Sequence, residues 1–245
     1  MFKSMFEQPA GMLQEVMFRD EIYFDRPSKI VTLQEFTATH VNATPGIVHY
    51  LGRPCLDMHG AGAATDGSNY CAGVAGVRFV AGKEMRLKFS FATAHANPAI
   101  PAFTAGLTVV TTGLTANMAA GGTPPTDYFL LAKRTTEAGF TLKTAKASGA
   151  PEVQVLAMDA LAAAKWYDFE VAVRTDPTTA GKGTVDLYCA IDGGVMNRVG
   201  ERVQIAAMIP DTVNLALAVG LRAGDTGTDK SYCSYIGVQQ SLRNY

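Results

Sequence analysis

Apolar and polar positions alternate most clearly over residues 166–194. Tyr167, Phe169, Val171 and Val173 take one parity, while Asp168, Glu170, Ala172 and Arg174 take the other. Successive side chains of a strand point to opposite faces, so this spacing predicts a strand with one side on a core and one side in water. Residues 175–183 then supply Asp, Pro, Thr and Gly, which favour a loop. Val185, Leu187, Cys189 and Ile191 resume the alternation until Asp192-Gly193-Gly194 stops it. The stretch therefore reads as two antiparallel strands joined by a loop.

The same design recurs along the chain. Met85, Leu87, Phe89 and Phe91 alternate with Glu84, Arg86, Lys88 and Ser90. Shorter apolar or alternating runs predict further strands at 21–24, 29–36, 47–51, 77–80, 107–111, 127–134, 140–146, 153–158, 213–221 and 232–242. The run at 127–134 is apolar on both faces, which suits a central strand. Residues 53–76 are rich in Gly, Ala, Asp, Ser and Asn and read as a long surface loop, and 160–164 has room for one helical turn. About a dozen strands with almost no helix suit two stacked antiparallel sheets.

Trp166-Tyr167 followed by an alternating strand, a polar loop, a second alternating strand and a closing Asp192-Gly193 resembles the late hairpin of concanavalin A-like jelly rolls. That superfamily includes lectins, laminin-G domains and glucanases, and 213–221 with 232–242 are placed to complete its sheets. The likeness covers roughly the last two thirds of the chain. It implies an all-β fold: a two-sheet antiparallel jelly-roll sandwich with an extended N-terminal arm. Residues 1–26 are assigned to the arm and 27–245 to a single sandwich domain.

The arm carries Phe2, Met5 and Phe6, then Met12, Leu13, Val16 and Met17, at helical spacings on either side of Pro9-Ala10-Gly11. Each piece is too short to be a stable helix alone in water, so the apolar groups need a surface to lie against. That surface is either the chain's own domain or a neighbouring subunit, and these seven residues form the candidate interface. Between Phe89 and Thr126 there is no Asp, Glu, Lys or Arg, which marks either a neutral surface loop or a subunit contact.

Charge narrows the partners. A formal net charge of −1 over 245 residues, with the basic residues scattered singly, offers no patch for nucleic acid. Charged residues make up 18 %, below the roughly 25 % of ordinary soluble domains, so the surface is either rich in uncharged groups or partly covered by other subunits. No apolar run reaches membrane-spanning length, and Glu7, Gln8 and Pro9 interrupt the start where a secretory signal would be apolar. Synthesis in the cytoplasm is therefore expected. Cys55, Cys71, Cys189 and Cys233 lie far apart with no Cys-x-x-Cys pair, which favours free thiols in that compartment.

Catalytic patterns are lacking. A jelly-roll glucanase carries Glu-x-Asp-x-x-Glu along one strand, and no such run occurs here. Asp168 and Glu170 share a strand face, but Arg174 and the water side of the sheet account for them. His40, His49, His59 and His95 have no short metal spacing, and there is no nucleophile elbow, P-loop or dinucleotide fingerprint in a suitable setting. Asp225 and Asp229 could join loop carbonyls around Ca²⁺, although a tight turn uses the same residues. Trp166 and Tyr188 could stack on sugar rings, although a Trp that opens a strand more often seals a core end, and neither is taken as a site.

No catalytic, cofactor or metal residues are thus expected. The resemblance and these exclusions together lead to a non-enzymatic virion structural protein as the expected function. It would be a tailed-phage capsid decoration or cement protein on the capsid surface, bound to the major capsid protein and to copies of itself, with a trimer among the options. The alternative is a carbohydrate-binding jelly-roll module, as in a tail fibre or lectin, with a glycan as partner. A glycan hydrolase or lyase with an unfamiliar site is the third reading.

Overall fold

The computed structural model describes residues 17–23, 36–41, 46–57, 67–72, 76–97, 101–109, 125–133, 137, 139–156, 158, 161–222 and 231–241. Among them the regular structure is all β. In chain order the strands are β1 (Met17–Tyr23), β2 (Phe36–Val41), β3 (Gly46–Tyr50), β4 (Arg53–Asp57), β5 (Gly67–Ala72), β6 (Glu84–Thr93), β7 (Ala102–Thr108) and β8 (Tyr128–Lys133). They continue with β9 (Thr141–Ala145), β10 (Glu152–Val155), β11 (Trp166–Thr175), β12 (Gly183–Ile191), β13 (Asn197–Arg198), β14 (Val203–Ile205), β15 (Ala216–Arg222) and β16 (Ser231–Ser241).

Two antiparallel sheets make the expected jelly-roll sandwich. The larger, nine-stranded sheet runs β13-β12-β11-β6-β16-β4-β3, with β14 also on β12 and β1 also on β16. The smaller, seven-stranded sheet runs β10-β9-β8-β7-β15-β5-β2. The last two strands enter the interior of the sheets: β15 lies between β7 and β5, and β16 between β6 and the β4 and β1 edge. Neither sheet is complete until the C-terminal strands join it.

Parity explains the core. In the β6–β11 ladder Phe89 lies opposite Phe169, Leu87 opposite Val171 and Met85 opposite Val173. All six are buried against Phe103 and Leu107 of β7 and Phe129 and Leu131 of β8. Phe140 stands edge-on to Phe91, Phe103 and Phe169 at 6.1, 5.7 and 4.8 Å. Fully burying such a side chain is worth about 1.5–3 kcal/mol, and edge-to-face geometry adds roughly 0.5–1.5 kcal/mol per pair.

Several expectations need correction. Residues 53–76 are not one loop, because β4 and β5 fall inside them. In β4 the pattern is set by buried Cys55 and Leu56, and β5 is held by backbone pairing to β15 on one side and β2 on the other, which small residues permit as well as large ones. Among the described residues, 77–80 form no strand but the isolated bridge of Val77 to Leu215, with Phe79 turned into the core. Met17, assigned to the arm, opens β1 opposite Ser241. At 161–165 there is a turn with Ala164 at φ 56°, not a helical turn. The strands β13 and β14 are too short for alternation to announce them. Phe2, Met5, Phe6, Met12, Leu13, Val16, His59, Asp225 and Asp229 lie outside the described residues.

Gly106 marks a close approach in the smaller sheet. It takes φ +148°, and a Cβ there would clash with the Phe129 carbonyl oxygen, 2.2 Å away and far inside van der Waals contact. Lys133 on the neighbouring strand is fully buried, donates to the Pro101 carbonyl at 2.6 Å, and is pushed down to about 8 by burial. Burial also pushes the Cys55 thiol up to about 11 and those of Cys189 and Cys233 up to about 12.

Gly106→Ala is expected to lower stability by about 2–4 kcal/mol in denaturant titration, because backbone must move to admit the methyl group. The ionisable groups predict a peak in stability against pH. As pH rises above about 8, the folded protein loses the Lys133 proton before the unfolded chain does, which removes a burial penalty and raises stability. Above about 9 the unfolded chain ionises its thiols while the folded core keeps them neutral to about 11 or 12, and stability falls. Thermal melting across this range is expected to show the rise lost in Lys133→Met and the fall retained.

Candidate functional site

The parity that buries Phe89 and Phe169 turns their neighbours onto the outer face of the larger sheet. Rows of side chains cross that face: Ser90, Asp168 and Ala190; Lys88, Glu170, Tyr188 and Arg198; Arg86, Ala172 and Asp186; Glu84, Arg174 and Thr184. Adjacent strands lie about 4.8 Å apart, so opposite charges in one row meet directly.

They form a continuous chain of ion pairs. Glu170 binds Lys88 at 3.4 Å and Arg86 at 2.8 Å. Arg86 reaches on to Glu84 at 2.6 Å, and Glu84 to Arg174 at 2.7 Å. Arg174 then donates to Asp186 at 2.7 Å. On Asp186 two further guanidiniums converge, Arg198 from β13 at 3.0 Å and Arg202 through Nε and Nη2 at 3.0 and 2.8 Å.

Asp186 is only 1 % exposed, whereas Arg198 and Arg202 are 42 % and 48 % exposed. A buried carboxylate costs several kcal/mol of desolvation unless donors surround it. Here the hydrogen bonds from Arg202 hold its carboxyl below the usual carboxylate range, burial opposes them, and Arg174 and Arg198 add to the lowering.

An aromatic cluster closes one end of the face. Trp166 is 2 % exposed, packed with Tyr232, Cys55 and the half-buried Tyr50. Tyr50 stacks on Tyr232 at 4.0 Å and meets Trp166 edge-on at 6.2 Å, and the Trp166 indole donates to the Tyr50 carbonyl at 3.2 Å. Arg53 lies 5.1 Å above the indole and grips Asp168 with both Nη atoms at 2.6 and 2.9 Å, while the Ser90 hydroxyl donates to the same carboxylate. Trp166 therefore seals the sheet and offers no free ring. Tyr188, between Glu170 and Arg198, stays partly exposed.

The other residues singled out in the sequence separate from this face. His49 is exposed on β3, His95 is buried with Nδ1 accepting from the Asn97 amide at 2.9 Å, and His40 falls on β2. Among the described residues no group of three or more His, Cys, Asp and Glu is placed to hold a metal ion. Cys55, Cys189 and Cys233 are buried free thiols. Arg53, Asp186, Arg198 and Arg202 were missed by the sequence reading. One signal was present: Glu84, Arg86 and Lys88 share a parity, as do Asp168, Glu170 and Arg174, so pairing the two strands places opposite charges side by side.

No protein-family model and no curated protein sequence matches the chain. Solved structures share its fold at low identity. An endo-1,3-β-glucanase from Streptomyces sioyaensis superposes with a TM-score of 0.57 and 9 % identity, covering 96 % of this chain and 100 % of its own. Winged bean acidic lectin, solved with methyl-α-D-galactose, gives 0.55 and 10 %, covering 94 % and 100 %. The CBM2 module of the evolved Dit of Lactobacillus casei BL23 phage J-1 gives 0.51 and 10 %, covering 95 % and 100 %. The chain thus shares the two-sheet jelly-roll sandwich fold of these structures, which include both a glucanase and a lectin.

Asp186→Asn is expected to leave three guanidiniums around a neutral amide and to destabilise the protein by roughly 2–4 kcal/mol, measured by denaturant unfolding. Arg202→Ala, which removes the strongest donor to Asp186 but leaves Arg174 and Arg198 in place, is expected to destabilise in the same direction and by less than Asp186→Asn. The wild-type contribution of Asp186 is present above the ordinary carboxylate range and is lost as pH falls through its lowered folded value.

Proposed function

We propose that the chain is a non-enzymatic carbohydrate-binding jelly-roll module whose site is the outer face of the larger sheet, centred on Tyr188. The observation that carries this reading is the setting of that ring. It is partly exposed on β12, next to the short edge strand β13, with Glu170 and Arg198 beside it in its own row. A sugar ring presents an apolar face for an aromatic to stack on and hydroxyls for charged groups to hydrogen-bond, and this row supplies both kinds of partner. Ion pairing holds those charged groups in place before a ligand arrives, which limits the entropy lost on binding. The lectin among the fold neighbours, solved with a galactoside, supports the reading.

The non-enzymatic part is supported by how the acids are used. Asp168, Glu170, Glu84 and Asp186 each sit in an ion pair with one or more cations within the fold. A glycosidase needs two carboxyl groups aimed at a glycosidic bond from either side, and the acids of this face are aimed at arginine and lysine.

A second reading is a tailed-phage virion protein bound to the major capsid protein and to copies of itself through Phe2, Met5, Phe6, Met12, Leu13, Val16 and Met17. The phage Dit module among the fold neighbours favours it. Co-sedimentation with empty capsids, abolished on removal of residues 1–16, would support this reading over the first.

On a panel of neutral and acidic polysaccharides, the full chain is expected to bind at least one without releasing reducing ends. Tyr188→Ala is expected to weaken that binding by about tenfold and Tyr188→Phe to retain most of it, since stacking needs the ring. Absence of binding across the panel, or turnover of any polysaccharide, would contradict the proposal.

A further inference from the structure

The ion-pair chain on the outer face is unbalanced. Among the described residues, Lys88, Arg86, Arg174, Arg198 and Arg202 share Glu170, Glu84 and Asp186, five cations to three carboxylates, an excess of two positive charges. Arg53 and Asp168 alongside cancel each other. The chain as a whole has 21 Lys and Arg against 22 Asp and Glu, so this excess is local to the face.

The excess also sits where a ligand can reach it. The Asp186 carboxylate beneath is almost fully buried, but the Arg86, Arg198 and Arg202 side chains are 43, 42 and 48 % exposed. Arg202 spends Nε and Nη2 on Asp186, and Arg198 only Nη2, so the remaining N–H groups of both have no acceptor among the described residues. Glu201, the nearest acid in sequence, lines the opening between the sheets with Val199 and Val203. A guanidinium fixed by one buried carboxylate, with its outer edge free, is set to accept a second planar or tetrahedral anion in a forked hydrogen bond.

We infer that the face takes an anionic glycan, with carboxylate or sulfate groups of the polymer seated on Arg198 and Arg202 beside a sugar ring on Tyr188. This rests on the carbohydrate-binding reading and adds the class of sugar to it. The spacing follows from the sheet: Tyr188 and Arg198 are direct neighbours across β12 and β13, and Arg202 flanks Asp186 one row pair along. One residue of an acidic polymer can therefore stack while its own or the adjacent charged group is held. Affinity gained this way is screened by salt, since the arginines are half in water.

The test is calorimetric titration of the full chain with polygalacturonate, dextran sulfate, unmodified dextran and a duplex DNA fragment, at low salt and at about 0.15 M. The expected result is that polygalacturonate, dextran sulfate or both bind at least about tenfold tighter than dextran, with affinity falling as salt rises. Whichever of the two binds tighter identifies the group. In an Arg198→Gln, Arg202→Gln double variant the preference is expected to disappear, and in the corresponding Lys variants to survive in part. Should the Gln variant fail to fold, the probe comparison on the unaltered chain still decides. Dextran bound as tightly as the acidic polymers, without salt dependence, overturns the inference and leaves the glycan reading standing. No polysaccharide bound overturns both. DNA bound more tightly than either acidic polymer, through the same arginines, also overturns it and makes the face a phosphate site.

Discussion

Everything on both sides of the larger sheet depends on the register between β6 and β11. One alignment sets Phe89 against Phe169 inside and Lys88 against Glu170 outside. A one-residue slip of β11 would turn Phe169 to water and bury Asp168, Glu170 and Arg174, so hydrophobic burial fixes the electrostatics of the outer face. The ion pairs themselves add modestly to stability where they are exposed. Their main consequence is geometric, since they fix several cations on a sheet face backed by the packed core.

What the sequence made legible was the strands with full alternation. The β6, β11 and β12 patterns, the closing turn at Asp192 and Gly193, and the two-sheet architecture follow from parity and turn chemistry alone. Asp192 even repeats its sequence signal in the structure, taking φ 53° and accepting the Trp166 amide at 2.9 Å. The strand β5 escaped because its mostly small and polar residues carry no apolar alternation, and β4 because its apolar residues Cys55 and Leu56 are adjacent and do not alternate, although a backbone ladder needs neither. The site was less legible for a different reason. Arg86 and Glu170 are 84 positions apart and Arg53 and Asp168 are 115 apart, so their meeting is a product of topology. Trp166 looked like a possible sugar platform until Tyr50, Tyr232 and Arg53, brought by three other segments, were seen to cover it.

A fold shared by a glucanase and a lectin cannot choose between catalysis and binding. The choice has to come from side chains, and here they divide the face into two zones. Around Trp166 the face is sealed by rings and by the Arg53 grip on Asp168. Around Tyr188 it is open, polar and rich in guanidinium edges. Asp186 links the two demands of stability and recognition: as a buried anion it must gather arginines, and having gathered three it leaves their outer edges in water. The same carboxylate that the fold must neutralise is thus what organises the open zone.

Amide hydrogen exchange on the full chain, with and without a saturating oligosaccharide of the tightest-binding polymer, tests the placement of the site most directly. The account predicts added protection in β11, β12, β13 and the 199–202 segment, with the smaller sheet unchanged. Protection appearing on β8, β9 and β10 instead, with β12 and β13 unaffected, would contradict it.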